Sequence, residues 1–329
     1  MRFPGFGRTG AASAGAIARG IRATLEEPST WSGTFSTHPN ERTEVSLPVP
    51  AAPGTAERTP LRRRFLMCRP EHFTVAYRIN PWMNPEDPTD TALALAQWQR
   101  LHDTYVALGH EVELIDALPG LPDMVYAANG GFTLDGVAYT ARFTHAERQP
   151  EGPAYADWFR AHGFRVHEAR EVHEGEGDLL LVGETILAGT GFRTSVESHA
   201  ELAALTGREV VTLRLVDPRF YHLDTALAVL DPAGADANVA YLPEAFDEAS
   251  RAELARRYPD AVEVGIEDAR WLGLNSISDG RNVVIAARAT GFEAALRERG
   301  YVPTGLDLTE LLLGGGGVKC CTLELRGER

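Results

Sequence analysis

The segment Leu95-Ala-Gln-Trp-Gln-Arg-Leu-His-Asp-Thr-Tyr-Val-Ala-Leu-Gly-His-Glu-Val-Glu-Leu-Ile115 holds a complete helix–stop–strand unit. Leu95, Trp98, Leu101, Tyr105 and Leu108 recur at helical spacing, so one face of the helix is apolar. Gly109 follows where a left-handed residue commonly ends a helix. Glu111 to Ile115 is then short and β-rich. Four later segments repeat this order. Tyr155, Trp158 and Phe159 lead to Gly163 and Phe164-Arg-Val166. Leu202 and Leu205 lead to Gly207 and Val210 to Leu215. Leu254 and Tyr258 lead to Pro259 and Ala261 to Val264. Phe292 and Leu296 lead to Gly300 and Tyr301-Val302.

Paired strand signals lie between these helices. The clearest is Gly131-Phe-Thr-Leu-Asp-Gly-Val-Ala-Tyr-Thr140, with Asp135-Gly136 as a two-residue hairpin turn. One supersecondary unit repeated every few tens of residues argues for a radial or solenoid array of the α/β class. A doubly wound sheet is the alternative. No Gly-x-Gly-x-x-Gly opens a helix after the first strand, so a dinucleotide site has no support.

Composition narrows the function classes. The chain has 329 residues, 44% hydrophobic and 24% charged, with a net charge of -14, which allows a sizeable core and speaks against nucleic-acid binding. No apolar run reaches the length of a membrane span. Cys68, Cys320 and Cys321 form no disulfide framework, which fits a reducing, cytoplasmic setting. Residues 1–60 differ from the rest. Met1 to Leu25 has four arginines and no acid, as in organelle transit peptides, and Glu26 to Thr59 lacks periodicity. This part is expected to be a disordered leader or tail.

Six clusters could carry chemistry: Ile79-Asn-Pro-Trp-Met83, Pro122 to Gly131, Arg142 to Gln149, Glu174-Gly-Glu-Gly-Asp178, Phe220-Tyr-His-Leu-Asp-Thr225 and Leu312-Leu-Gly-Gly-Gly-Gly-Val-Lys-Cys-Cys-Thr-Leu323. Each has a plain structural reading. The carboxylates 174, 176 and 178 suit a solvated turn, and the adjacent cysteines suit small core hydrophobes. Two adjacent residues cannot both turn inward from one extended strand. His222 and Asp224 are expected on one face of a strand. They could form part of a zinc set, but no Cys-x-x-Cys or His-x-x-x-His completes it, so no metal site is assigned. Taken together, a thiol, an imidazole and several carboxylates suit attack on a planar cation. Carboxylates can hold a guanidinium, a thiolate can add to its carbon, and a histidine can protonate the departing amine.

In this order the clusters resemble the guanidino-group-modifying, or pentein, superfamily. It includes arginine deiminases, dimethylarginine dimethylaminohydrolases, glycine amidinotransferases and arginine dihydrolases. The resemblance covers about Phe65 to Leu325. It implies a fivefold pseudosymmetric α/β propeller, with 61–329 as a single catalytic domain. It further implies a hydrolase acting on arginine or a methylated arginine through a covalent thiouronium, with no cofactor. By position, Cys320 matches the nucleophile, His222 the general acid/base, and Glu174 the carboxylate that binds the guanidinium and orients the histidine. Asp224 matches the second guanidinium-binding carboxylate, and Cys321 takes the following apolar position. Asn129 stands where deiminases carry Asp, which resembles the arginine dihydrolase branch. Asn80, Asp123, Arg142 and Arg193 resemble contacts to the substrate's α-carboxylate or α-amino group. The implied partner is a small guanidino molecule, with neither nucleic acid nor membrane, and a homo-oligomer is compatible. The alternatives are an amidinotransferase with the same Cys-His-Glu site, a non-catalytic pentein binding protein, and a metal-dependent hydrolase.

Overall fold

The computed structural model describes residues 58–234 and 237–327, so the expected leader lies outside it except for its last three residues. Arg58, the first described residue, has its guanidinium 3.6 Å from the Tyr301 ring centroid and 2.6 Å from Asp231.

The helix–stop–strand units are all present. The helices are α1 (Thr91–Ala107), α2 (Glu151–Ala161), α3 (Val196–Thr206), α4 (Glu248–Arg257) and α5 (Thr290–Glu298). Trp98, Leu101 and Tyr105 form the buried face of α1, as their spacing requires. Asp90, Ser195 and Asp247 start α1, α3 and α4 by accepting backbone amides three residues on. Beyond α1, α2, α3 and α5, Gly109, Gly163, Gly207 and Gly300 take φ of 86°, 85°, 68° and 79°.

Each helix returns the chain to a three-stranded sheet. The first sheet joins β1 (Arg64–Cys68) to β2 (Glu111–Ile115) in parallel. The second holds β3 (Gly131–Leu134), β4 (Val137–Thr140) and β5 (Arg165–Glu168), and the third β6 (Leu179–Val182), β7 (Thr185–Thr190) and β8 (Glu209–Arg214). The fourth holds β9 (Leu227–Asp231), β10 (Asn238–Tyr241) and β11 (Val262–Glu263), and the fifth β12 (Ile277–Ser278), β13 (Asn282–Ala286) and β14 (Val302–Leu306). In sheets two to five, the first strand pairs antiparallel with the second and the second parallel with the third. The first sheet obtains its antiparallel strand from the end of the chain. There β15 (Leu323–Glu324) pairs with Phe65 and Leu66, so the last blade-forming residues close the first blade. This is the fivefold α/β propeller that the resemblance implied, and it makes the array of repeats radial. The hairpin turn also stands: Asp135 and Gly136 take φ of 49° and 72°, and Leu134 pairs with Val137. Among the described residues, no helix is long and apolar enough to cross a membrane.

Two local expectations are corrected. Phe220 to Thr225 is not a strand: His222 is extended, but Leu223–Ala226 forms a helical turn. The cause is Asp178, whose Oδ1 accepts the Leu223 amide at 2.9 Å. The cysteines also avoid the strand geometry that would separate them. Cys321 N bonds to Gly317 O at 3.2 Å and Thr322 N to Lys319 O at 2.9 Å, so a tight turn precedes β15. Both thiols therefore point inward. Cys321 packs in the core with Phe65, Trp98 and Tyr105, as expected of an apolar position.

Candidate active site

The thiol of Cys320 is held between Asn275 and Asp224. Asn275 clamps it: Oδ1 accepts the Cys320 amide at 3.0 Å, and Nδ2 lies 3.1 Å from Sγ. The same Nδ2 donates to Asp224 O at 3.1 Å. Asp224 Oδ2 stands 3.4 Å from Sγ. Asn275 follows Leu272, a bulky residue at φ 54°, and its amide bonds back to the Leu272 carbonyl at 3.0 Å. The glycine run serves close approach. Gly315 takes φ 88°, and a Cβ there would sit 2.8 Å from Asn80 Nδ2 and 2.9 Å from the Tyr221 hydroxyl.

Glu174, Glu176 and Asp178 are buried, so the solvated-turn reading fails. Glu174 and Asp178 flank a single 3₁₀ turn, Gly175–Gly177, with Glu176 at its centre, so the carboxylates point in different directions. Glu174 Oε2 binds His222 Nε2 at 2.9 Å and Arg193 Nη1 at 2.8 Å, while Oε1 accepts the Thr144 amide at 3.2 Å. Asp178 fixes the backbone at Leu223 and accepts the Thr194 hydroxyl at 2.6 Å. Gly177 lets this cluster close, since a Cβ there would meet Asn129 Nδ2 at 2.4 Å and His222 Nδ1 at 3.0 Å.

A second tier surrounds Arg148. Its guanidinium binds Asn129 Oδ1 at 2.7 Å, both Glu151 oxygens at 2.8–2.9 Å and Asp123 O at 3.2 Å. Asp123 Oδ2 accepts the Tyr77 hydroxyl at 3.0 Å. Asn80 donates to Gly314 O at 3.0 Å and lies 3.3 Å from the Tyr221 hydroxyl, which joins the 79–83 loop to the glycine run. Arg193 crosses the Tyr221 ring and donates to Ile79 O at 2.7 Å.

Thus Cys320, Asp224, His222, Glu174, Arg193, Asn129, Asp123 and Asn80 all lie in this buried neighbourhood. Arg142 does not join them. Its backbone bridges His173, which turns the side chain outward onto the Arg170 carbonyl. The same sequence cluster instead sends Arg148 inward. The residues missed in the sequence are Arg148, Asn275, Tyr221 and the orienting role of Asp178. Arg148 had one available signal, its three-residue spacing to Glu151 at the start of α2. Asn275 had none, because only the ring of blades brings it to residue 320.

The electrostatics describe a resting site. Burial and the Asp224 charge push the Cys320 thiol well up, so it is protonated. Burial raises Asp224 to about 6, against the pull of His222 and Lys319. Burial also works against ionised Glu174, but Arg193 and His222 outweigh it and hold that carboxyl well below the usual range. Among the described residues, three of the buried atoms without a partner belong to this site: Asp224 Oδ1, Asp123 Oδ1 and His222 Nδ1. Two carboxylate oxygens and an imidazole nitrogen left unpaired indicate a guest rich in N–H donors.

A family model described as eukaryotic N,N dimethylarginine dimethylhydrolase matches residues 69–327. The chain belongs to that family. Within this dimethylhydrolase family, the N(G),N(G)-dimethylarginine dimethylaminohydrolase of Mycobacterium tuberculosis is 56% identical over 270 residues, 82% of this chain and 88% of the relative. The bifunctional arginine dihydrolase/ornithine cyclodeaminase ArgZ of Synechocystis is 36% identical over 80% of this chain but only 37% of its own length. Its N-terminal domain, solved covalently bonded to a reaction intermediate, matches with a TM-score of 0.76, covering 80% of this chain and 98% of that domain. The family member described here is a cysteine-dependent hydrolase of guanidino C–N bonds with the pentein fold.

Proposed function

We propose that the preferred substrate is an N(G)-methylated arginine, released as a methylated amine and a ureido amino acid. Cys320 is the nucleophile, His222 the general acid/base, Glu174 its orienting carboxylate and Asp224 the principal guanidinium partner. The observation that carries this is Asp224 itself, with one oxygen 3.4 Å from the thiol and the other unpaired and buried. A guanidinium bound there brings a positive charge to the sulfur and reverses the field that keeps the thiol protonated. The thiol proton passes to His222, and the thiolate adds to the guanidinium carbon. His222 then protonates the departing amine, which leaves a thiouronium on Cys320. Water, deprotonated by His222, adds to that carbon, the C–S bond breaks, and the thiol regains its proton.

Asn129, held by Arg148, and Asp123, Asn80 and Arg193 are read as the pocket for the amino-acid end of the substrate. Residues 61–329 act as one catalytic domain in this reading. Three free cysteines support a cytoplasmic setting, and the charge of -14 supports a cationic small molecule rather than nucleic acid.

Identity across most of the Mycobacterium tuberculosis relative supports the methylated substrate. Arginine itself is the second reading, supported by the match to the ArgZ N-terminal domain solved with its substrate bound. Incubation with arginine and dimethylarginine side by side separates the two. Dimethylamine with citrulline is the expected result, and ornithine with ammonia from arginine gives the second reading. Turnover only in the presence of an acceptor amine identifies an amidinotransferase and overturns both.

A further inference from the structure

Beside Lys319, which precedes the catalytic thiol in the chain, a cavity of about 20 Å3 lies among Arg63, Lys319, Arg326, Ser276, Leu227 and Val229. That volume holds roughly one water-sized species. Its charges are unevenly arranged. Arg63, Lys319 and Arg326 line it, whereas their carboxylate partners Glu176 and Glu324 sit behind them. Glu324 pairs with Arg63 and Arg326, and Glu176 with Arg326 and, at 2.6 Å, Lys319. Three cations, the buried Lys319 and the partly buried Arg63 and Arg326, therefore share two carboxylates. The next acid, Asp279, is engaged elsewhere, accepting the amides of Arg281 and Asn282. Lys319 donates to Glu176 and to Thr322 O, which leaves its third N–H unassigned. Ser276 Oγ also lines the cavity, is buried, and has no partner among the described residues.

We infer that this cavity binds a monatomic anion of the chloride class. Such an ion accepts from the ammonium, the guanidinium edges and the Ser276 hydroxyl at once, and it balances the cationic excess. Water offers the orphaned groups hydrogen bonds but leaves the charge uncompensated. The site adjoins the catalytic cluster through Lys319, which immediately precedes Cys320 in the chain. It stands independently of the substrate reading.

The test uses the full-length enzyme at constant ionic strength, with sodium chloride or bromide exchanged for sodium gluconate. Bromide-soaked crystals should give an anomalous peak between Lys319 Nζ, Arg326 and Ser276 Oγ. Saturating chloride should raise the melting midpoint by about 3 °C over gluconate. Ser276→Ala, which removes one donor from outside the catalytic cluster, should weaken chloride affinity at least threefold. Absence of the bromide peak, equal midpoints in chloride and gluconate, or unchanged affinity in Ser276→Ala overturns the inference.

Discussion

Glu174 and Glu176 are two residues apart, equally buried, and paired to cations, yet they serve different parts of the molecule. Glu174 spends its oxygens on His222, Arg193 and the Thr144 amide, so it serves the imidazole. Glu176 spends its own on Lys319, Arg326 and the Glu324 amide, which anchor the closing strand β15. Residue type and burial are the same, so the partners alone separate chemistry from ring closure. A single turn with glycine at 175 and 177 allows this, because it reverses side-chain direction within three residues.

The comparison breaks if the two glutamates prove interchangeable. Glu174→Gln should lower kcat by about 10²–10⁴-fold, since the imidazole loses its anionic partner. Glu176→Gln should leave kcat of the folded enzyme within about threefold but cost roughly 3 kcal/mol, because Lys319 and Arg326 lose a buried counter-charge. Steady-state kinetics and calorimetric melting of both variants decide it. Loss of turnover in Glu176→Gln with a stable, active Glu174→Gln reverses the assignment.

A pH profile sharpens the contrast on the catalytic side. Asp224 is raised to about 6 by burial, so below that pH it is neutral and its attraction for a guanidinium is lost. The value of kcat/KM should therefore fall about tenfold per pH unit below about 6. Glu174, held far lower, adds no limb in that range. In Asp224→Asn the residual activity should show no acid limb near 6, and a limb that persists there belongs to another group.

The smallest effects compare two left-handed glycines. Gly109 ends α1 with nothing within 4 Å of its missing side chain, so Gly109→Ala should cost about 1 kcal/mol and leave kinetics alone. Gly315 has a similar φ but faces Asn80 and Tyr221 at under 3 Å. Gly315→Ala should cost more and raise KM about tenfold, as judged by the same melts and assays.

What the sequence made legible follows physical range. Helical spacing and the glycine or proline stops are local, and the five outer units were readable from them. The inner ring was harder, because β12 and β15 are two residues long and carry no periodicity. Motif resemblance named the thiol and its neighbours. It missed Asn275, whose clamp on Cys320 depends on two blades meeting across 45 positions. It chose Arg142 over Arg148 because which of two nearby arginines turns inward is fixed by the bridge to His173. Alternation suggested a strand at His222, where the Asp178 carboxylate, 45 positions before Leu223, starts a helical turn.

The central claim is that one sulfur, at 320, takes the guanidino carbon. Cleavage after Lys319 yields the peptide Cys320 to Arg326, which carries both adjacent cysteines. Acid quench during turnover of dimethylarginine or arginine, followed by fragment-resolved mass spectrometry, locates the adduct. The account predicts a substrate-derived mass on Cys320, absent in Cys320→Ser. An adduct on Cys321, or turnover retained in Cys320→Ser, contradicts it.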